Sequence, residues 1–124
     1  MKRIRASIAI ALLALALPWA QGAWAAAPDA ASGAGNPAAG ATVFHATCVV
    51  CHAPTGRGTM PGMPDFTRTD GVLSLPTPVL AQRIHDGFSD GKAPMAMPPM
   101  GDNPNLTPGD IRNVIAYLRT TFRH

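Results

Sequence analysis

Cys48-Val49-Val50-Cys51-His52 is the stretch on which the reading of this chain turns. Two thiols about one helical turn apart can each add to one vinyl group of the same porphyrin, while the next residue brings an imidazole to the iron. Cys48 and Cys51 are therefore the predicted thioether anchors of one haem c, and His52 is the predicted proximal iron ligand. Two other uses of a Cys-x-x-Cys pair fit less well. A zinc site lacks its second cysteine pair, because the chain holds only two cysteines, and a dithiol redox centre lacks a strand-helix-strand setting.

The N-terminus has the pattern of an export signal. Lys2, Arg3 and Arg5 form a basic patch, Ile8 to Leu17 is an unbroken apolar run, and Ala23-Trp24-Ala25 supplies small residues at the spacing a signal peptidase reads. The run is short for a bilayer span, so no retained membrane anchor is expected. Residues 1–25 are predicted to be removed, with cleavage after Ala27 as the alternative, and the processed chain is expected in the periplasm. Removing that segment takes three of the ten Lys and Arg residues and none of the seven Asp. A neutral chain of 99 residues is left, so the basic character of the full sequence gives no ground for nucleic-acid or acidic-lipid binding.

Those 99 residues contain 12 Pro and 11 Gly, against 19 Val, Leu, Ile, Phe and Tyr. Such a chain has little apolar surface to set against its conformational entropy. A buried haem, large, flat and apolar, would supply what the side chains lack, and its role is expected to be structural as well as chemical.

Three helices are predicted and no strand, which makes the fold all-α with long Pro- and Gly-rich loops. Residues 26–35 read as a flexible leader, followed by one domain over 36–124. Asn36 is a predicted N-cap with Pro37 at the first helical position, and that helix should run to about Thr47 with Val43 and Phe44 as its apolar side chains. A second helix should start from Thr77 as cap and Pro78, carry Val79, Leu80 and Ile84, and stop at Gly87. The third is the best defined. Thr107-Pro108-Gly109-Asp110 is a capping-box start, and Ile111, Val114, Ile115, Leu118 and Phe122 make one stripe. The segments 53–74 and 88–106 should be loops, the second because four of its residues are Pro. Neither a phosphate-binding glycine motif nor a catalytic-triad spacing is present, so no enzyme activity is expected.

What fills the iron's sixth position separates electron transfer from ligand chemistry. Met95, Met97 and Met100 cluster about 45 residues after the anchors in a Pro-flanked loop, and a thioether there would favour the ferrous state. His85 is a candidate for bis-histidine ligation, whereas His45 and the terminal His124 read as surface residues. Met60 and Met63 read as packing near the porphyrin edge.

From Gly40 to Tyr117 these residues resemble the class I cytochrome c family. The resemblance rests on a first helix with Gly40 and Phe44 leading into Cys48-x-x-Cys51-His52, a loop with Gly56 and Gly58, Pro64 in Pro64-Asp65-Phe66, Met97-Pro98-Pro99-Met100-Gly101, and a last helix with Tyr117 in Ala-Tyr-Leu. It implies a small haem-enclosing three-helix fold, with the Pro64 carbonyl taking the proximal imidazole proton and Met97 as the distal ligand, ahead of Met100 and Met95. Met100 stands where the family usually has a bulky or aromatic residue, and the 101–106 connection is longer than usual.

The function implied is that of a periplasmic monohaem carrier passing single electrons between a redox donor and an acceptor, either as a monomer in brief encounters or as the permanently bound subunit of a dehydrogenase. Val49, Val50, Met60 and Met63 are the candidate docking surface in both cases. A Cu(I)-handling role for the Met cluster is a third reading, and it leaves Cys48-x-x-Cys51-His52 without a purpose. Trp19 and Trp24 are the only tryptophans, so the processed protein, stripped of haem, should show no indole fluorescence. Indole emission from exported material would place the cleavage site elsewhere.

Overall fold

The computed structural model describes residues 33–123. The predicted signal segment, residues 26–32 of the leader and His124 lie outside the described residues. Asn36 caps α1 (Pro37–Val43) as its sequence requires, its side-chain oxygen accepting from the Ala38 and Ala39 amides at 2.9 and 3.2 Å. The helix does not end near Thr47. It passes through a wider π-helical turn, Phe44–Cys48, into α2 (Val49–His52), making one unbroken rod from Pro37 to His52. Nothing in Thr47–His52 breaks a helix. The stop comes at Ala53, whose positive φ of 58° turns the chain away ahead of Pro54.

The second rod is α3 (Thr77–Asp86), closed by Gly87 at φ 79°. Its cap is Pro76 rather than Thr77, which is already helical. The Thr77 hydroxyl is occupied elsewhere, accepting from Arg119 Nη1 at 2.7 Å. Arg119 also donates to the carbonyls of Leu75 (2.6 Å) and Leu73 (3.3 Å), so one guanidinium ties the last helix to the segment entering α3. Val79, expected on the apolar face, is 37 % exposed, while Leu80 is buried.

The third rod, α4 (Pro108–Phe122), opens on the predicted capping box between Thr107 and Asp110, and all five residues of its apolar stripe are buried. It crosses α1 at closest approach beside Gly40, where a Cβ would overlap the Asn113 carbonyl and crowd Tyr117. Asn113 Oδ1 also accepts the Asn36 amide at 2.8 Å. The crossing is thus closed by backbone contact and a hydrogen bond together.

Among the described residues there is no strand, in agreement with the all-α prediction. The 88–106 segment is more ordered than its prolines suggest, with an isolated antiparallel bridge between Phe88 and Met97 and a 3-10 turn over Pro99–Asp102. A second 3-10 turn covers Val72–Ser74. No helix among the described residues is long and apolar enough to cross a membrane.

Gly40→Ala should lower the unfolding free energy of the haem-loaded protein by about 1–3 kcal/mol, the cost of forcing bulk into a closed crossing. Gly109→Ala, in the first turn of α4 with its nearest contact at 3.4 Å, should be neutral or add up to about 1 kcal/mol. Urea unfolding of the two variants checks the contrast.

Candidate haem site

The long first rod delivers the attachment motif to the centre of the molecule. His52 closes α2 and is buried, 7 % exposed, while Cys48 and Cys51 are half-buried and not joined to each other. The loop that follows folds straight back on the motif. Gly58 N donates to the His52 carbonyl at 3.0 Å, and both the amide and the hydroxyl of Thr59 donate to the Cys51 carbonyl at 3.0 Å. A further bond from Phe66 N to the Gly56 carbonyl, 2.8 Å, carries Phe66 over the His52 ring. The two rings stack at 4.7 Å with 22° between planes.

Stacking rather than hydrogen bonding holds the imidazole. Its Nδ1 is buried with no partner, so the Pro64 carbonyl does not take the proton as the resemblance implied. Pro64 is exposed, on a segment drawn towards Gly56 by the Phe66 amide. Burial pushes the His52 pKa below its usual value, which keeps the ring neutral and its lone pair available. Before attachment, burial, with a smaller contribution from Cys51, raises the pKa of the Cys48 thiol to about 11.

His52 and Cys48 open on a cavity of about 580 Å³, within the usual range for a bound organic ligand. Met63, Met95, Met97 and Met100 line it too, so all three candidates for the distal position reach the same space as His52. Met95 is 54 % exposed, and Met97 and Met100 are half-buried. Met100 takes a positive φ of 58° and packs against the core, whereas the main chain of Met97 is pinned by the bridge to Phe88.

The other predicted residues are placed apart from this space. Neither Cys51 nor Met60 is among the residues that line it. His85, the candidate for bis-histidine ligation, is exposed and does not line the cavity, and its Nδ1 lies 2.6 Å from Asp86. His45 is exposed beside Tyr117. An imidazole and several thioethers facing one apolar space are ligands that a haem iron takes, and the Cys48 sulfur opens on the same space, where it would be joined to the porphyrin.

Two contributors were not read from the sequence. Nothing local in the sequence reveals the stack of Phe66 on a residue fourteen positions away. Arg83 lines the cavity three residues after Leu80 on the inner side of α3, with its guanidinium 3.8 Å from the centre of the Phe88 ring. The other lining cations, Arg68 and Lys92, are paired with Asp70 and Asp90. Arg83 makes no ion pair among the described residues. A cation on the inward stripe of an amphipathic helix was the available signal.

The sequence profile of the family described as Cytochrome c matches residues 37–122, the same span that builds the three rods and the cavity. A cytochrome c6 of Picosynechococcus sp. is 38 % identical over 120 residues, covering 90 % of this chain and 89 % of the relative. Comparison with solved structures gave no significant match. With a single Cys-x-x-Cys-His motif whose Cys48 and His52 open on one apolar cavity, the chain belongs to the cytochrome c family, as a monohaem electron carrier whose haem c is covalently attached.

Proposed function

We propose that this cytochrome passes single electrons between redox proteins in the periplasm, with the haem held through Cys48 and Cys51 and the iron between His52 and Met97. The observation that carries this reading is the shared cavity, in which a buried neutral imidazole and a main-chain-pinned thioether line one apolar space. The bound haem supplies a reversible one-electron change at its iron. Everything else falls to the chain. Phe66 fixes the plane of the His52 ring, and the buried side chains of Phe44, Leu73, Leu80 and Ile115 keep water from the cavity wall. Arg83, without a carboxylate of its own, faces the cavity as the cation for the haem propionates.

Of the three methionines, Met97 is favoured by its backbone. A ligand that must hold in both oxidation states benefits from a fixed main chain, and the Phe88 bridge provides it with bonds of 2.8 and 3.0 Å. Export rests on the sequence pattern of residues 1–25, and the neutral processed chain suits brief encounters that depend little on salt.

The test is the sixth iron position. Ferrous wild-type protein should bind carbon monoxide slowly and weakly at neutral pH. Met97→Ala should bind it readily and lose on the order of 100 mV of reduction potential, a modest part of the roughly 0.8 V that axial ligands span. Met95→Ala should change neither. Fast binding by the wild type would count against a carrier, and an unchanged spectrum and potential in Met97→Ala would remove Met97 from the iron.

A further inference from the structure

The two candidate iron ligands sit on different parts of the chain; Asn103 Nδ2 donates to Thr47 Oγ1 at 3.1 Å beyond Met97, and ahead of Met97 a backbone contact at Gly62 joins the loop after His52 to the 88–97 loop. On the proximal side, Gly58 and Thr59 hang the 53–66 loop from the carbonyls of His52 and Cys51. That loop turns through Met60–Met63, with a bond from Met63 N to the Met60 carbonyl at 3.3 Å. At the turn, Gly62 lies flat against the Lys92 carbonyl and the Ala93 amide. Lys92 is in the outer part of the 88–97 loop, whose neck is the Phe88–Met97 bridge and whose last residue is Met97. Gly62, Lys92 and Ala93 all line the cavity, so the contact is part of its wall.

Gly62 is required there on two grounds. Its φ is +84°, and a Cβ would overlap the Lys92 carbonyl oxygen. Gly91, one residue from Lys92, has a comparable φ of +77° with nothing within 4 Å of the position a Cβ would take. The two glycines therefore separate conformational freedom from close approach. The outer loop has little else to hold it. Ser89, Asp90, Gly91 and Lys92 are all exposed, and the bonds there are the local ones from Gly91 N to Ser89 Oγ and from Lys92 N to Asp90 Oδ1.

We propose that the Gly62–Lys92 crossing is the latch of the 88–97 loop, and that Gly62 is a positioning residue for the distal ligand. The ligand part rests on the reading of Met97 above. When the crossing is intact, the proximal segment props the loop from beneath and the neck bridge stays formed. When Gly62 acquires a Cβ, the Lys92 carbonyl has to move away and the loop lifts at its outer end. The bridge and Met97 then open more often.

Two readouts on the haem-loaded protein test this. One is the rate at which imidazole binds the ferric iron, and the other is hydrogen exchange at the Phe88 and Met97 amides, which form the neck. Gly62→Ala, which meets both the overlap and the strain of a positive φ, should raise both by well over tenfold over wild type, whereas Gly91→Ala, which carries the strain alone, should raise them by no more than about fivefold, a tenfold shift corresponding to 1.4 kcal/mol of loop opening. Asp90→Ala removes the acceptor of the Lys92 amide without adding bulk, and should move both readouts the same way by a smaller factor. It serves if Gly62→Ala does not accumulate folded. Equal effects of Gly62→Ala and Gly91→Ala, or a flat response to Gly62→Ala or Asp90→Ala, would overturn the latch. If Met97→Ala leaves imidazole binding unchanged, the ligand reading fails, and amide exchange at the neck still decides the latch.

Discussion

Eight of the ten buried apolar side chains among the described residues also line the cavity, and that arrangement governs the rest of the fold. In a typical small domain such residues would close on one another. Here, among the described apolar side chains, only Ile111 and Phe122 are buried without facing the cavity. The core is therefore a wall. An apolar wall of this extent left facing water forfeits much of the burial on which a small domain depends. A chain so rich in Pro and Gly cannot offset that, so the haem and the fold depend on each other.

Given that wall, the crossing of α1 with α4 fixes where the chemistry goes. Gly40 lets the two backbones meet, and the rod that starts there continues without interruption to His52. The proximal residue is thus referred to the helix crossing through a single stiff element. The π-helical turn sits between the crossing and the motif, at the place where such turns are commonly found near functional residues. Phe44 belongs to this turn and is fully buried, so the turn is packed rather than frayed.

What could be read from the sequence was local. The Asn36 cap, the Thr107–Asp110 box, the α4 stripe and the stop at Gly87 each depend on residues within a few positions of one another, and each was found where expected. Thr77 was misassigned as a cap because its hydroxyl answers to Arg119, forty-two residues on. The end of the first helix was placed early because the motif was read as chemistry, although Val49 to His52 continue the helix without strain. The neck bridge and the Phe66 stack escaped for the same reason as Thr77. They are pairings across loops, and loop composition carries no signal of which residues will meet. Cys-x-x-Cys-His was legible because porphyrin chemistry, not the fold, sets its spacing.

The two sides of the proposed iron site are held by unlike means. His52 ends a helix, stacks on a buried ring and has neighbours that bond to its own carbonyl and to that of Cys51. Met97 ends a loop whose outer residues are exposed, and it is seated by a two-bond neck, by the close approach of Gly87 to its carbonyl and, further out, by the backbone crossing at Gly62. An electron carrier gains from a site that changes little between oxidation states, so the softer side sets the reorganisation. A neutral thioether does not change its charge demand when the iron does, and the constraint that matters is then geometric. On the reading proposed here, that constraint lies in the seating of the 88–97 loop rather than in the helices, and local opening of this small segment can be tuned without disturbing the fold that encloses the haem.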